Sequence, residues 1–356
     1  MSDRASRLAE KLPEAGADLL LVTSLVNVRY LTGFTGSNGI VLVGPDTRVF
    51  LTDFRYVEQS AAELDAAFDR QIGQELMDLL PNLLPSSAGR LAFEDAHLTV
   101  RAHGRLQELV GDRVELVAGG DLVESLRAVK DSQEIARIGE AAKLADAALR
   151  QVMEQGLVGR TEVEIATTLE RTMGDLGAQR PSFDTIVAAG AHGALPHAQP
   201  RDVEIGPDEL VVIDWGAELD GYCSDCTRTL ATGEPAEAAL RAYDLVREAQ
   251  LAGVDALRAG VGGRDADSAA RDVIGAAGHA EHFGHGLGHG VGLEIHEAPR
   301  LSQRSDSVLA SGNVVTVEPG VYLPGQFGVR IEDLVVVTET ACTILTSVPK
   351  ELITVG

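Results

Sequence analysis

The sequence predicts an α+β protein in two parts, on three observations. Up to about residue 125, short apolar runs alternate with helical stretches, the pattern of an α/β domain. Beyond residue 126, the order helix, helix, extended segments occurs twice, which predicts two similar halves facing each other. In that second part, several apolar runs end on a carboxylate. A length of 356 residues accommodates domains at 1–125 and 126–356 without disulfide staples.

Taken in order, ADLLLVTS (17–24) reads as a buried strand, and GIVLVGPDTRVFLTD (39–53) as a hairpin turning at Gly44-Pro45-Asp46. RLAFEDA and RVELVAG add two further strands. Asp131 and Glu134 have capping-box spacing and open a long helix through ARIGEAAKLADAALRQVMEQ. Thr161 and Glu164 form a second box, and Gly177 lies just past the helix it opens. SFDTIVAAG, ELVVIDWGAEL and GYCSDCTRTL follow as extended segments, with Asp220-Gly221 as the turn between the last two. The second round has a helix from Pro235 to about Ala259 and another from about Asp265 to Ala277. The track GHGLGHGVGLEIHEAP, then GNVVTVEPGVYL and FGVRIEDLVVVTE, complete it.

Aromatic residues are only 4% of the chain, so the core is expected to be Val, Leu, Ala and Ile. Thirty basic against 54 acidic residues leave a net charge of −24, which repels phosphate backbones and anionic lipid. Nucleic acid and membrane are therefore not expected as partners. Three cysteines argue against a disulfide framework and for a cytoplasmic setting, and the N-terminal apolar run is too short for a signal peptide or a membrane span.

The chemistry is concentrated at strand ends. Asp214 closes VVIDWG, Asp225 alternates with Cys223 and Thr227, Glu318 closes NVVTVEPG, and Glu332 is expected inside a strand with Arg330 on its side. Buried carboxylates need partners, and the nearest bases, Arg228 and Arg330, lie on strands that already carry an acid. Two divalent cations would balance the four acids, with one imidazole from the track of His285, His289 and His296 to complete the set. Spacing does not choose among these histidines. The glycines of the track never form G-x-G-x-x-G, and His296-Glu297 does not extend to H-E-x-x-H, so phosphate-cradle and zincin-helix readings fail. Cys223 and Cys226, three apart on an extended segment, diverge and do not make a thiolate site.

VIDWGA, SDCTRT, GHGLGHGVGLEIHE, TVEPGVYLPG and GVRIED, in that order, resemble the pita-bread metallopeptidases, in the branch of Xaa-Pro aminopeptidases and prolidases. NVRYLTGFTGSNG and LTDFRY are similar to the creatinase-like N-terminal domain of the same enzymes. The resemblance implies a C-terminal pita-bread domain with a curved antiparallel sheet. It implies metal ligands at Asp214, Asp225, His289, Glu318 and Glu332, with Asp225 and Glu332 bridging two ions. His197 and His296 would contact substrate or shuttle protons beside Glu318, His285 would line the pocket, and Arg330 would orient Glu332. His192-Gly193 stands where many relatives carry polar residues. A ligand set of mostly oxygen with one nitrogen favours Mn2+, with Co2+, Fe2+ or Zn2+ as alternatives.

The implied reaction is hydrolysis of an N-terminal Xaa-Pro bond by a cytoplasmic homodimer. The N-terminal motif leans toward an aminopeptidase, with an Xaa-Pro dipeptidase as the alternative. Creatinase works without metal and lacks this full ligand set, methionine aminopeptidase does not need the N-terminal domain, and a non-catalytic binding protein would have lost ligands.

Overall fold

The computed structural model describes residues 4–356, which fold as two compact units dividing between Arg127 and Ala128. The first unit is built on one mixed sheet. Its strands are β1 (Leu19–Val22), β2 (Ile40–Gly44), β3 (Thr47–Thr52), β4 (Asp69–Ile72), β5 (Arg90–Phe93) and β6 (Glu115–Ala118), in the order β4-β3-β2-β1-β5-β6. β1 is an unbroken buried apolar run, as a strand covered on both faces should be. β2 and β3 pair antiparallel with Gly44 opposite Thr47, so the hairpin turns where the Gly-Pro-Asp signal expected it. β4 carries no apolar run and sits half-exposed at the sheet edge, held by parallel pairing to β3. No periodicity in the sequence announced it.

The second unit repeats one order twice: two helices, then strands. The helix Ser132–Glu154 opens on a full capping box, in which the Asp131 carboxylate accepts from the Glu134 amide and Glu134 accepts from the Asp131 amide. Thr161 and Glu164 make the same reciprocal pair at the start of Glu162–Asp175. The second round brings helices Glu237–Ala256 and Gly263–Ala276, the latter beginning two residues before the expected Asp265. Gly177 and Gly278, just beyond their helices, adopt positive φ of 110° and 85°, a conformation that favours glycine.

The strands of the first half are β7 (Arg180–Pro181), β8 (Ile186–Ala189), β9 (Leu210–Trp215), β10 (Ala217–Leu219), β11 (Tyr222–Cys223) and β12 (Cys226–Ala231). Those of the second are β13 (Gly288–Gly290), β14 (Glu297–Leu301), β15 (Val314–Val317), β16 (Gly320–Leu323), β17 (Phe327–Arg330), β18 (Asp333–Val337) and β19 (Cys342–Ile344). They form sheets β11-β10-β7, β12-β9-β8, β14-β13-β15-β18-β19 and the ribbon β16-β17, all with antiparallel neighbours. Asp220 and Gly221, at φ of 48° and 74°, make the tight turn between β10 and β11.

Each half has its own apolar core. Leu149, Ile165 and Leu169 pack with Ile213 and Trp215 in the first, whose indole donates to the Ala145 carbonyl at 2.9 Å. Val246, Ala270 and Ile274 pack with Val315, Val317 and Val335 in the second. The cores are Val, Leu, Ala and Ile with few aromatics, as the composition predicts. Strands backed by helices in both halves leave their polar residues to meet between the sheets.

Candidate metal centre

Asp214 lies near the end of β9, where antiparallel pairing puts it directly opposite Thr227 of β12 and Ile186 of β8. Asp225 immediately precedes β12 and, by the two-residue alternation, shares the face of Thr227. Glu318 follows β15. His289 is the centre of the three-residue β13, between two glycines that must be glycine: a Cβ on Gly288 would run into the Thr316 carbonyl and one on Gly290 into Ala298. The small-residue track thus lets β13 approach its neighbours closely and leaves the imidazole as the group presented. Glu332 corrects an expectation. It lies not inside a strand but in the break between β17 and β18, where its amide donates to the Thr227 carbonyl at 3.1 Å.

These side chains converge. Carboxylate oxygens of Asp214, Asp225 and Glu332 lie within 4.8 Å of one another. His289 Nε2 is 3.5 Å from Asp225 Oδ2 and 3.4 Å from Glu318 Oε1. The other ring nitrogen, Nδ1, faces the Gly290 carbonyl at 3.1 Å and must donate to it, so the neutral ring turns a bare Nε2 to the carboxylates. Desolvation holds the His289 pKa down to about 3 and keeps that ring neutral.

The carboxylates are supported in turn. Thr227 Oγ1 donates to Glu332 Oε2 at 2.8 Å, and Thr316 Oγ1 donates to Glu318 Oε1 at 3.0 Å. Arg330 donates to Asp214 Oδ2 at 2.7 Å, to Thr227 Oγ1 at 3.0 Å, to the Tyr322 hydroxyl at 2.8 Å and to the Pro196 carbonyl at 3.1 Å. It therefore reaches Glu332 only through Thr227, while gripping Asp214 directly. That differs from the expected direct service to Glu332, because the β16-β17 ribbon packs against β9 and β12, where Arg330 meets Asp214 and Thr227 rather than the residue two places on in its own chain. Arg228 faces the other side of β12 and pairs with Asp333.

Four acids facing one arginine are in excess. Burial, followed by the charge of Glu332, pushes the Asp225 carboxyl well above its usual range; burial, followed by Glu318, does the same to Glu332. Burial also pushes Glu318 up to about 7. Asp214 Oδ1 is buried with no hydrogen-bond partner among the described residues. An orphaned acceptor and crowded carboxylates beside a bare imidazole nitrogen are the marks of a cation-binding set, and oxygen donors with one nitrogen suit divalent metals. The residues fit such ions.

The set opens on a cavity of about 600 Å3. His197 and His296 line it, and the His296 ring meets that of His289 edge-on at 4.4 Å. Desolvation, then Arg300, holds His296 below its ordinary pKa. His285 also lines the cavity, but neither of its nitrogens is free: Nδ1 donates to the Gly286 carbonyl at 2.9 Å and Nε2 accepts from the Tyr322 hydroxyl at 2.9 Å. Its place is behind the site, fixing the tyrosine that Arg330 also holds. Cys223 and Cys226 are buried free thiols, and burial pushes Cys223 up to about 12, so neither is a thiolate.

Sequence reasoning missed Arg300 and Tyr322. Arg300 lines the cavity, is exposed, and forms no ion pair among the described residues. The signal was available: along β14 burial alternates strictly, so His296, Ala298 and Arg300 share one parity and one face. Tyr322 had no such signal, since its hydroxyl matters only through Arg330 and His285.

Residues 136–339 match metallopeptidase family M24, and residues 4–129 match the creatinase/prolidase N-terminal domain. An Xaa-Pro dipeptidase from Bacillus anthracis has the same fold with a TM-score of 0.95 and 42% identity, covering 98% of each chain. An X-Pro aminopeptidase from Thermotoga maritima superposes with a TM-score of 0.91 and 38% identity over 99% of this chain and 100% of its own. The Xaa-Pro dipeptidase of Pyrococcus furiosus is 35% identical over 99% of this chain and 100% of its own. The match spans the pita-bread unit with its carboxylates and histidine as well as the domain that precedes it, and this chain belongs to metallopeptidase family M24.

Proposed function

We propose that the protein hydrolyses Xaa-Pro dipeptides with the aid of two divalent metal ions held by Asp214, Asp225, His289, Glu318 and Glu332. The observation that carries this reading is the convergence of those five side chains at one cavity in a chain of this family. Mn2+ is the preferred ion, because a set rich in carboxylates with one imidazole suits it, with Co2+, Fe2+ or Zn2+ as alternatives. The chemistry such ions supply when bound is Lewis acidity and a lowered pKa for water.

The chain's own residues account for the rest. Glu318, on the cavity wall with Thr316 holding one of its oxygens, can take a proton from the attacking water and return it to the leaving proline nitrogen. His197 and His296, on the cavity wall, can donate to the peptide carbonyl and to the oxyanion that develops from it. Phe183 and Ile186 offer an apolar wall for the pyrrolidine ring. Arg300, cationic and without an ion pair among the described residues, can receive the free carboxylate of a dipeptide. That carboxylate is absent at this distance from the scissile bond in a longer peptide, which is why the dipeptide is preferred here. The dipeptidases among the relatives support the same choice. The aminopeptidase reading stands second, on the likeness to the Thermotoga maritima enzyme.

The test is turnover of Ala-Pro against Ala-Pro-Ala-Ala by purified protein with Mn2+. Release of proline from Ala-Pro, lost with a chelator and with Glu318→Gln or His289→Ala, is expected. Equal turnover of both peptides would favour the aminopeptidase, and full activity without metal would reject the mechanism. A homodimer and a cytoplasmic setting remain part of the proposal. Among the described residues no helix is long and apolar enough to cross a membrane.

A further inference from the structure

Glu332 stands at a break between two strands, where no regular ladder holds the main chain. Its neighbours in the candidate centre push it away, since the oxygens of Asp214 and Asp225 come within 4.8 Å of its own. Something must hold it, and the hold on the cavity side is slight: one hydroxyl, that of Thr227. The opposite face of the same two segments is different. Thr227 and Arg228 are consecutive on β12, and Glu332, in the break, immediately precedes Asp333, the first residue of β18; Thr227 meets Glu332 on the cavity side, and Arg228 meets Asp333 on the other.

On the far face, Arg228 Nη2 donates to Asp333 Oδ1 at 2.8 Å, and Arg228 Nη1 donates to the carbonyl oxygen of Glu332 itself. Nη1 also reaches the Thr227 carbonyl at 2.9 Å, and Nε reaches the carbonyls of Val348 and Pro349. Asp333 is fixed in turn by Thr346, Gln250 and Lys350. Both Arg228 and Asp333 are 1% exposed. A buried ion pair is a weak source of stability compared with apolar side chains of the same size, so stability alone does not account for one here. A planar guanidinium holds the Glu332 carbonyl and the Asp333 carboxylate on separate nitrogens of one rigid fork, a fixed geometry that the compact ammonium of a lysine lacks.

We propose that Arg228, through its pair with Asp333, is a positioning residue for Glu332: it holds the main chain at the Glu332 carbonyl and at Asp333, so that the carboxylate keeps its place beside Asp214 and Asp225. This rests on the reading of Glu332 as a metal ligand. Arg228 touches neither substrate nor ion and acts through the backbone of its neighbour.

The experiment is titration calorimetry of Mn2+ into the full chain stripped of metal, together with the visible absorption of its Co2+ complex. It compares wild type, Arg228→Lys, Glu332→Gln and Ile274→Ala, the last a core truncation in the helix Gly263–Ala276, none of whose described residues hydrogen-bonds Arg228, Glu332 or Asp333. Arg228→Lys is expected to bind Mn2+ roughly 10–100-fold more weakly, with an altered Co2+ spectrum. Ile274→Ala is expected to lose melting temperature but bind as wild type. An Arg228→Lys protein that melts lower yet keeps wild-type affinity and spectrum would overturn the proposal and leave the pair as a support of the fold alone. If wild type takes up no ion, or Glu332→Gln binds unchanged, the metal reading itself falls and the proposal with it. Should Arg228→Lys not fold, Lys350→Met carries the test from the cluster's more exposed edge. A loss of about 3–10-fold in Mn2+ affinity is expected there, and unchanged affinity overturns the proposal.

Discussion

Arg330 donates to one oxygen of Asp214 at 2.7 Å and leaves the other buried without a hydrogen-bond partner among the described residues. The guanidinium fixes the carboxylate's orientation, and the orphaned Oδ1 is then the atom offered to a cation. Arg330 also spans Thr227, Tyr322 and Pro196, a fan of contacts that needs the planar fork. Arg330→Lys is therefore expected to retain the charge but to weaken Mn2+ binding by roughly 10–100-fold. Calorimetric titration of the metal-free variant checks this, and affinity equal to wild type would limit Arg330 to packing.

The pH dependence follows from Glu318, whose carboxyl burial raises from an ordinary 4.5 to about 7. Between those values the folded metal-free protein keeps a proton that the unfolded chain has released. Glu318, Asp225 and Glu332, all raised by burial, therefore each remove stability from the metal-free protein as pH rises. His285 and His289, neutral in the fold but protonated in the unfolded chain below about 6.5, act in the opposite direction, so the net fall is expected above pH 6.5. Cations displace those protons and bind the folded state, so the rise in melting temperature on adding Mn2+ should grow from pH 5 to pH 8. Thermal melts with and without Mn2+ across that range check it. A metal-free melting temperature that climbs with pH above 6.5 would contradict the assignment of these carboxylates.

Arg300, on the cavity wall, is the residue proposed to set which peptides are preferred. If it receives the free carboxylate of a dipeptide, Arg300→Ala loses a charge-assisted hydrogen bond of about 1.5–3 kcal/mol, which raises KM for Ala-Pro by roughly 10–100-fold. Turnover of Ala-Pro-Ala-Ala, whose carboxylate lies elsewhere, is expected to change little. Steady-state kinetics on both peptides reads the difference, and equal losses would assign Arg300 to holding the cavity wall.

The parts legible in the sequence were those set by local rules. Both capping boxes, the Asp220-Gly221 turn and the helix-helix-strands repeat depend on spacing and on residue conformation, which one chain displays. Acids ending apolar runs pointed to the convergence of Asp214, Asp225 and Glu318, because a carboxylate leaving a buried strand needs a shared destination. Where the reading slipped, register between distant strands decides. Glu332 falls at a strand break, Arg330 on the β16-β17 ribbon grips Asp214 of a different sheet, and both nitrogens of His285 are taken by Gly286 and Tyr322. β4 owes its existence to its neighbour β3 and has no pattern of its own.

Glu162 offers a different kind of prediction, about the segment that carries His197. Its buried carboxylate accepts from the amides of Ala189 and Arg201, from the Arg201 guanidinium and from His192 Nδ1, at 2.9–3.1 Å. Burial alone would raise its pKa, but these donors, with Arg201 foremost, override it and hold the carboxyl below its ordinary value. One side chain thus pins both ends of residues 189–201, and His197 reaches the cavity from between them. In Glu162→Gln the amide group turns donors toward donors, an arrangement worth about 1–3 kcal/mol in lost contacts. The melting temperature should fall by several degrees. Release of the segment should lower kcat for Ala-Pro by roughly 10-fold as His197 loses its position. Mn2+ affinity should stay at the wild-type value, because none of the five proposed ligands lies between 189 and 201. A variant that loses metal along with activity would show that Glu162 supports the whole cavity rather than this one segment.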